Sequence, residues 1–431
     1  MSLSERKHQL LQCIRCSACK LVTTPRISGW DFASGCPSVD YGQFHAYSGG
    51  GKTIIATALE EGKIGYSDQM LDAVFTCSMC GSCQISCNLN YGGNVEPLQN
   101  IRELRARAVE DGQSDPAHMM TMSYLKREDN VFGKPKADRF KWAEGLDIKD
   151  ALDAKTSVYM HVGCHFAYDE ELWPIIRGAA TILTEAGVDF GIAKKEEVCC
   201  GGRAYDMGYK KELTSYAESL AGRLKEAGSK TLVTCCSDGY GTFKQLYPMV
   251  GFALEGIEVL HITEYIDRLI QQKKIKFTKE VPLHVTYHDP CHLGRLGEPL
   301  KPWKGEIKSA DDPVMYITEP VRDVNFGGRG VYDPPRNILK AIPGITLTEM
   351  PRIREWAYCC GAGGGAKEAY PDFAEKTALE RLREARSTGA EALVTACPWC
   401  ERNFKDATEA SNDGMGVYDI IHLVLKAMGK E

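Results

Sequence analysis

Four cysteines, Cys77, Cys80, Cys83 and Cys87, stand in CSMCGSCQISC at the spacing C-x2-C-x2-C-x3-C. Two successive x2 steps wrap backbone around one corner of a metal assembly. They carry three thiolates to three metal atoms, the demand an iron–sulfur cubane makes. An upstream group, CIRCSAC, repeats the front of that run with Cys13, Cys16 and Cys19, and its fourth member is displaced to Cys36 in SGCPSV. Zinc knuckles are built instead from two C-x2-C pairs around one tetrahedral ion, which is not the pattern here.

The other ten of the 18 cysteines lie downstream, again in tight groups separated by long cysteine-free stretches. Clustering of this kind points to metal sites rather than to scattered buried thiols. Cys291, Cys359-Cys360 and Cys397-x2-Cys400 offer five thiols from three segments. Adjacent cysteines chelate one small ion only with strain, but they can span two irons of a larger assembly. Cys164, Cys199-Cys200 and Cys236 offer a matching set that is one short, because Gly239 stands opposite Cys400 when TLVTCCSDGYGTF is laid on ALVTACPWCERNF. Cys235 stands opposite Ala396 in the same alignment. Three readings are open: Cys235 swings in as a fifth ligand, four ligands hold a different iron–sulfur cluster or zinc, or the site is vestigial. A cysteine gained beside one lost favours compensation.

The elements that position these residues are duplicated. SVYMHVGCH matches LHVTYHDPCH, EEVCCGG matches WAYCCGAGG, and KELTSYAESLAGRLKEAGSKTLVTCC matches PDFAEKTALERLREARSTGAEALVTAC. Leu213, Tyr216, Ala217, Leu220 and Leu224 form one helical apolar stripe, Gly228 ends it, and TLVT reads as a buried strand. Strand alternating with helix is the grammar of a parallel α/β sheet with right-handed crossovers. The expectation is an α/β chain: a small, mainly helical domain over 1–150, a Rossmann-like repeat over 151–278 and a second over 279–431. In such sheets chemistry gathers at the C-terminal strand ends, where Cys164, Cys236, Cys291 and Cys397 fall.

Bulk properties narrow the function classes. A net charge of −6 argues against nucleic acid as the main partner, and no apolar run approaches a membrane span. MSLSERKHQL carries no apolar export segment, so a cytoplasmic location with reduced thiols is expected, and disulfides are not.

The C…CCG…C-x2-C pattern resembles the CCG domain of heterodisulfide reductase, and CHLGR, YDPPRNILKAIPG and CCGAGGG carry that likeness most specifically. A ferredoxin-like front joined to two such domains is similar to the D-type subunit of that enzyme. It is also similar to the fused iron–sulfur subunit of class II benzoyl-coenzyme A reductase complexes. The resemblance implies a noncubane iron–sulfur cluster on Cys291, Cys359, Cys360, Cys397 and Cys400. The N-terminal runs resemble a two-cluster bacterial ferredoxin, in which the fourth cysteine of each run serves the other cluster. That implies one [4Fe–4S] cubane on Cys13, Cys16, Cys19 and Cys87 and another on Cys77, Cys80, Cys83 and Cys36. Asn88 departs from the proline usual after such a run.

The function implied is an iron–sulfur electron-transfer subunit of an anaerobic oxidoreductase complex, partnered by flavin- or ferredoxin-type subunits. Its alternatives are a disulfide reductase catalytic subunit and a zinc-stabilised scaffold. The 67 residues between Cys291 and Cys359, against 34 between Cys164 and Cys199, include an insertion that we expect to dock a partner or shield the site. YSGGGKT is at most a weak phosphate-loop match. His165 and His292 are candidates to donate hydrogen bonds to a cluster, and Arg295 to favour an anionic substrate or partner.

Overall fold

The computed structural model describes residues 2–23, 26–27, 29–194, 197–299, 303–309 and 316–430. Five parallel strands, β1 (Lys149–Asp150), β2 (Val158–His161), β3 (Phe190–Ile192), β4 (Thr231–Thr234) and β5 (Glu258–His261), form one sheet in the order β1-β3-β2-β4-β5. After β6 (Leu283–Tyr287), a small antiparallel pair, β7 (Glu306–Ser309) and β8 (Tyr316–Glu319), stands apart. β9 (Ile345–Leu347), β10 (Ala392–Thr395) and β11 (Gly416–Asp419) then join β6 in a second parallel sheet, ordered β11-β10-β6-β9. Without the edge strand β1, the two orders are the same, so the duplication read in the sequence is repeated in the topology. VYMH and ALVT are buried at every position, as strands covered by helices on both faces must be.

Local chemistry sets the connections. The Lys210–Ala227 helix buries Leu213, Ala217, Leu220 and Leu224, leaves Tyr216 half-exposed and stops at Gly228, whose φ of +68° suits glycine. Its counterpart, Pro371–Arg386, starts on proline, whose missing N–H costs nothing in a first turn. The loops after β2, β4, β6 and β10 each lead straight to a cysteine: Cys164, Cys236, Cys291 and Cys397.

The N-terminal part is helical, with Gly49–Glu60 packed on Pro97–Glu110. Ser48 caps the former by accepting from the Gly51 N–H. The GGGKT segment is the opening turn of a helix whose first turn is buried, and its Gly49 and Gly50 face cysteines. The insertion crosses to this domain: Arg322 pairs with Glu96, and Asn88 Nδ2 donates to the Asn325 carbonyl at 2.6 Å. The centre of the insertion, residues 310–315, lies outside the described residues. Among the described residues no helix is long and apolar enough to cross a membrane.

Candidate iron–sulfur centres

Cys13, Cys16, Cys19 and Cys87 line one cavity, and Cys36, Cys77, Cys80 and Cys83 line another. The fourth cysteine of each run thus sits with the other run's first three. The long step to Cys36 is closed by a short antiparallel bridge, with Val22 N–H donating to Ala33 O and Gly35 N–H to Lys20 O, each at 2.8 Å. Pro37 then opens the Pro37–Gly42 helix behind Cys36.

Two glycines missed as functional in the sequence wedge between the quartets. A Cβ on Gly49 would lie 2.6 Å from Cys83 Cβ, and one on Gly50 would lie 3.4 Å from Cys19 Sγ. The bare backbone lets Gly50 N–H donate to Cys19 Sγ at 3.2 Å, and Ala18 N–H reaches Cys16 Sγ at 3.4 Å. The spacing of GGG to the cysteines gave no hint of this, because the approach is purely tertiary.

Downstream, Cys164, Cys199, Cys200 and Cys236 come together, as do Cys291, Cys359, Cys360, Cys397 and Cys400. Cys400 Sγ and Cys360 Sγ are 3.2 Å apart. Gly201 and Gly361 play equivalent parts, each donating its N–H to the sulfur two residues back, Cys199 at 3.4 Å and Cys359 at 3.3 Å. The two groups approach at Cys236 and Cys397, close enough for each thiol to shift the other's ionisation. On its other side the second group approaches the N-terminal domain, where Cys80 and Cys359 are close enough to shift each other's ionisation.

The structure places Cys235 elsewhere than the compensation reading needs. It lies with Ala396, its counterpart, in the apolar core behind the strand ends, and Asp419 and Glu197 are the charged groups that act on it. Its side chain leaves on the opposite side of the strand end from Cys236, as alternation along an extended segment requires.

Within each CCG group the surroundings favour thiolate, the form that binds metal, at some thiols and raise their neighbours, Cys199 and Cys236 in the first and Cys291 and Cys400 in the second. Hydrogen bonds from Cys359 and Cys400 bring Cys360 down to about 5. A hydrogen bond from Cys199 and the charge of Arg139 bring Cys164 to about 6 against burial. Arg139 comes from the connector, lies 4.0 Å from Cys164 Sγ through Nη2 and is 1% exposed. Arg295 serves the other junction. It donates to Cys80 O at 2.6 Å and to Ala357 O at 2.6 Å, so it is an internal clamp and not the displayed anion-binding group expected from its position. His292 Nδ1 is 3.4 Å from Cys291 Sγ and 3.2 Å from Asp238 Oδ1. Burial works against its charge, but Asp238 and Asp206 prevail and raise it to about 9. His165 binds Asp169 and packs 4.2 Å from the Trp399 ring. The YDPPRN motif acts through Arg336, which grips both oxygens of Asp289, two residues before Cys291, at 2.7 and 2.9 Å.

The donor set fits iron and sulfide. It is thiols in fours and fives, backbone N–H groups aimed at sulfur, and glycines where a Cβ would collide. Family models agree: a 4Fe-4S dicluster domain matches residues 9–91, and a cysteine-rich CCG domain matches 158–244 and again 324–405. Over 372 residues the chain is 30% identical to the D-type subunit of a dihydromethanophenazine:CoB–CoM heterodisulfide reductase of Methanosarcina mazei, covering 84% of this chain and 80% of that one. The chain belongs to the D-type heterodisulfide reductase family. Other relatives are larger. An iron–sulfur-binding oxidoreductase, FadF, of Bacillus subtilis is 28% identical over 89% of this chain and 50% of its own length. An EtfAB:quinone oxidoreductase of Syntrophomonas wolfei is 26% identical over 83% of this chain and 47% of its own. The chain spans about half of each of those two. Family members of this kind are iron–sulfur subunits of oxidoreductases, and the dicluster and CCG domains suit electron transfer.

Proposed function

We propose that this protein relays single electrons within a heterodisulfide reductase-like complex, entering at the N-terminal cysteines and leaving through the CCG repeats. Cys13, Cys16, Cys19 and Cys87 would hold one [4Fe–4S] cluster, and Cys36, Cys77, Cys80 and Cys83 a second. Cys291, Cys359, Cys360, Cys397 and Cys400 would hold a noncubane cluster. Cys164, Cys199, Cys200 and Cys236 would hold a smaller iron–sulfur cluster or zinc. Bound clusters of this type supply one-electron transfer at potentials set by charge, burial and hydrogen bonds. On this reading each repeat is a Rossmann-like unit, with boundaries near residues 150 and 278, supported by the shared parallel strand order.

The observation that carries the reading is the chain of sulfur contacts. Cys80 meets Cys359, Cys360 meets Cys400, and Cys397 meets Cys236. Entry is favoured at the first quartet because Cys16 is exposed there, beside the exposed apolar Leu11 and Ile14. A flavin- or ferredoxin-type subunit is the partner we assign to that edge.

A disulfide reductase is the second reading, but the thiols favour relay. Eight of the nine CCG cysteines other than Cys235 are buried, and Cys200 is half-buried. Trp399, between Cys397 and Cys400 in sequence, stacks on Phe132 with the Arg203 guanidinium 3.8 Å from its ring centre. Freeze-quench EPR after mixing with reduced ferredoxin tests the proposal. Signals of the N-terminal centres are expected to rise before those of the second repeat, and the reverse order would overturn the direction. Turnover of a heterodisulfide by the chain alone with an artificial donor would instead favour the second reading.

A further inference from the structure

The two repeats each bury a histidine at the same place, His161 three residues before Cys164 and His288 three residues before Cys291. Phe243 and Phe404 hold the two rings edge-on at 5.1 and 4.9 Å. Beyond that the pair diverges. A ring nitrogen of His288 lies within 4.8 Å of the sulfurs of both Cys360 and Cys400. Its Nδ1 faces Arg381 Nε at 3.2 Å, and its Nε2 meets no partner although the residue is 1% exposed.

An arginine Nε–H only donates, so Nδ1 must be the unprotonated nitrogen of His288. The neutral ring then carries its proton on Nε2, the nitrogen left for the thiols. Such a nitrogen has no lone pair to offer a metal, but it has an N–H to offer a sulfur. His161 is committed differently. Its Nε2 is 3.3 Å from the Val198 carbonyl, which only accepts, so the Nε2 proton is spent on backbone and its unpartnered Nδ1 is a bare lone pair. Counting back from Cys397 and Cys236, the position of Arg381 is occupied in the first repeat by Leu220, a buried apolar residue. The donor arrangement therefore belongs to the second repeat alone.

We propose that His288 is a positioning residue that donates an Nε2–H···S hydrogen bond to the Cys360 and Cys400 thiolates and thereby sets the second-repeat centre at a higher reduction potential than an equivalent centre without that donor. The physical reason is that a hydrogen bond to a cluster sulfur stabilises the more negative, reduced state. Arg381 fixes the tautomer that makes it possible, and burial keeps water from competing for the proton. The donor tilts the relay toward the centre that Cys80 contacts through Cys359. The inference rests on the proposed cluster assignment of the second repeat.

The test is a redox titration, followed by EPR, of anaerobically purified protein, its His288→Leu and His288→Gln variants, and His161→Leu as a control. Loss of the donor is expected to change the reduced-to-oxidised ratio of the second-repeat centre about tenfold at fixed potential, a shift of about 59 mV negative for a one-electron couple. His288→Gln, which retains an N–H, recovers part of the shift, and His161→Leu leaves the second-repeat centre unmoved. Wild-type protein labelled with 15N-histidine provides an arm that depends on no variant: a weak, hydrogen-bond-type nitrogen coupling is expected at this centre. A ligand-strength coupling, or a second-repeat potential indifferent to His288 with iron content retained, overturns the inference and leaves the relay standing. Wild-type protein with no paramagnetic centre in the second repeat overturns both.

Discussion

Arg105 is a central tie in the contact between the N-terminal part and the repeats, and its removal can be worked through bond by bond. The guanidinium is fully buried and donates to Asp206 O at 2.8 Å, Gly364 O at 2.8 Å, Phe75 O at 2.9 Å and Cys77 O at 2.8 Å, with a longer pair to Val74 O. One side chain thus joins the loop before Cys80, the first repeat and the glycine run after Cys359-Cys360. Hydrogen bonds from a charged donor contribute about 1.5–3 kcal/mol each, and each buried carbonyl left unpaired costs about 1–3 kcal/mol. The four short bonds share one side chain and are not additive. Even at half their summed worth, Arg105→Met should lower the local opening free energy of the junction by roughly 3 kcal/mol or more. That is a loss of at least about 100-fold in amide hydrogen-exchange protection, confined to residues 74–78 and 361–365. Arg105→Lys, with three donors and no fork, should fall between. Protection in those two segments within a factor of about ten of wild type would refute the reasoning.

Gly49→Ala puts a Cβ 2.6 Å from Cys83 Cβ, so the Gly49–Glu60 helix must shift. Overpacking of this kind costs about 1–3 kcal/mol, and a lower melting temperature with iron lost from the second quartet is expected. Gly222→Ala, at an exposed helical position with open space around it, provides the control for replacing a helical glycine alone. His118 is buried with Nε2 3.0 Å from Gly365 O, and burial, with Arg105 nearby, depresses its pKa from 6.5 to about 4. Its neutral form is the one the fold accepts, so its contribution is complete above pH 6.5 and is lost as pH falls from there to about 4. Denaturant midpoints measured across that window should drop less in His118→Gln than in wild type; parallel curves would contradict this account.

Much of the fold was legible because it is written twice. Short tetrapeptides rich in β-branched residues, such as TLVT and ALVT, read as covered strands, and Gly228 stops its helix where the apolar stripe ends. The cysteines were legible as groups, since C-x2-C spacing encodes local geometry. What could not be read was which side of a strand end a residue takes once the chain turns. Cys235 looked like a substitute ligand because it is adjacent to Cys236, yet adjacency in an extended segment sends it into the core. Gly49 and Gly50 resembled a phosphate loop because local sequence cannot tell that their neighbours are sulfurs from distant segments. Arg295 was singled out for its place in CHLGR but not for what it binds, and Arg381 carried no local signal; their roles arise from carbonyls and a ring supplied by other segments.

Iron, zinc and acid-labile sulfide determined together on anaerobically purified protein test the central claim most directly. The account predicts iron and sulfide in near-equal amounts, above about eight of each per chain once the two cubanes and a CCG centre are filled. Zinc in place of iron, with no labile sulfide, would contradict it.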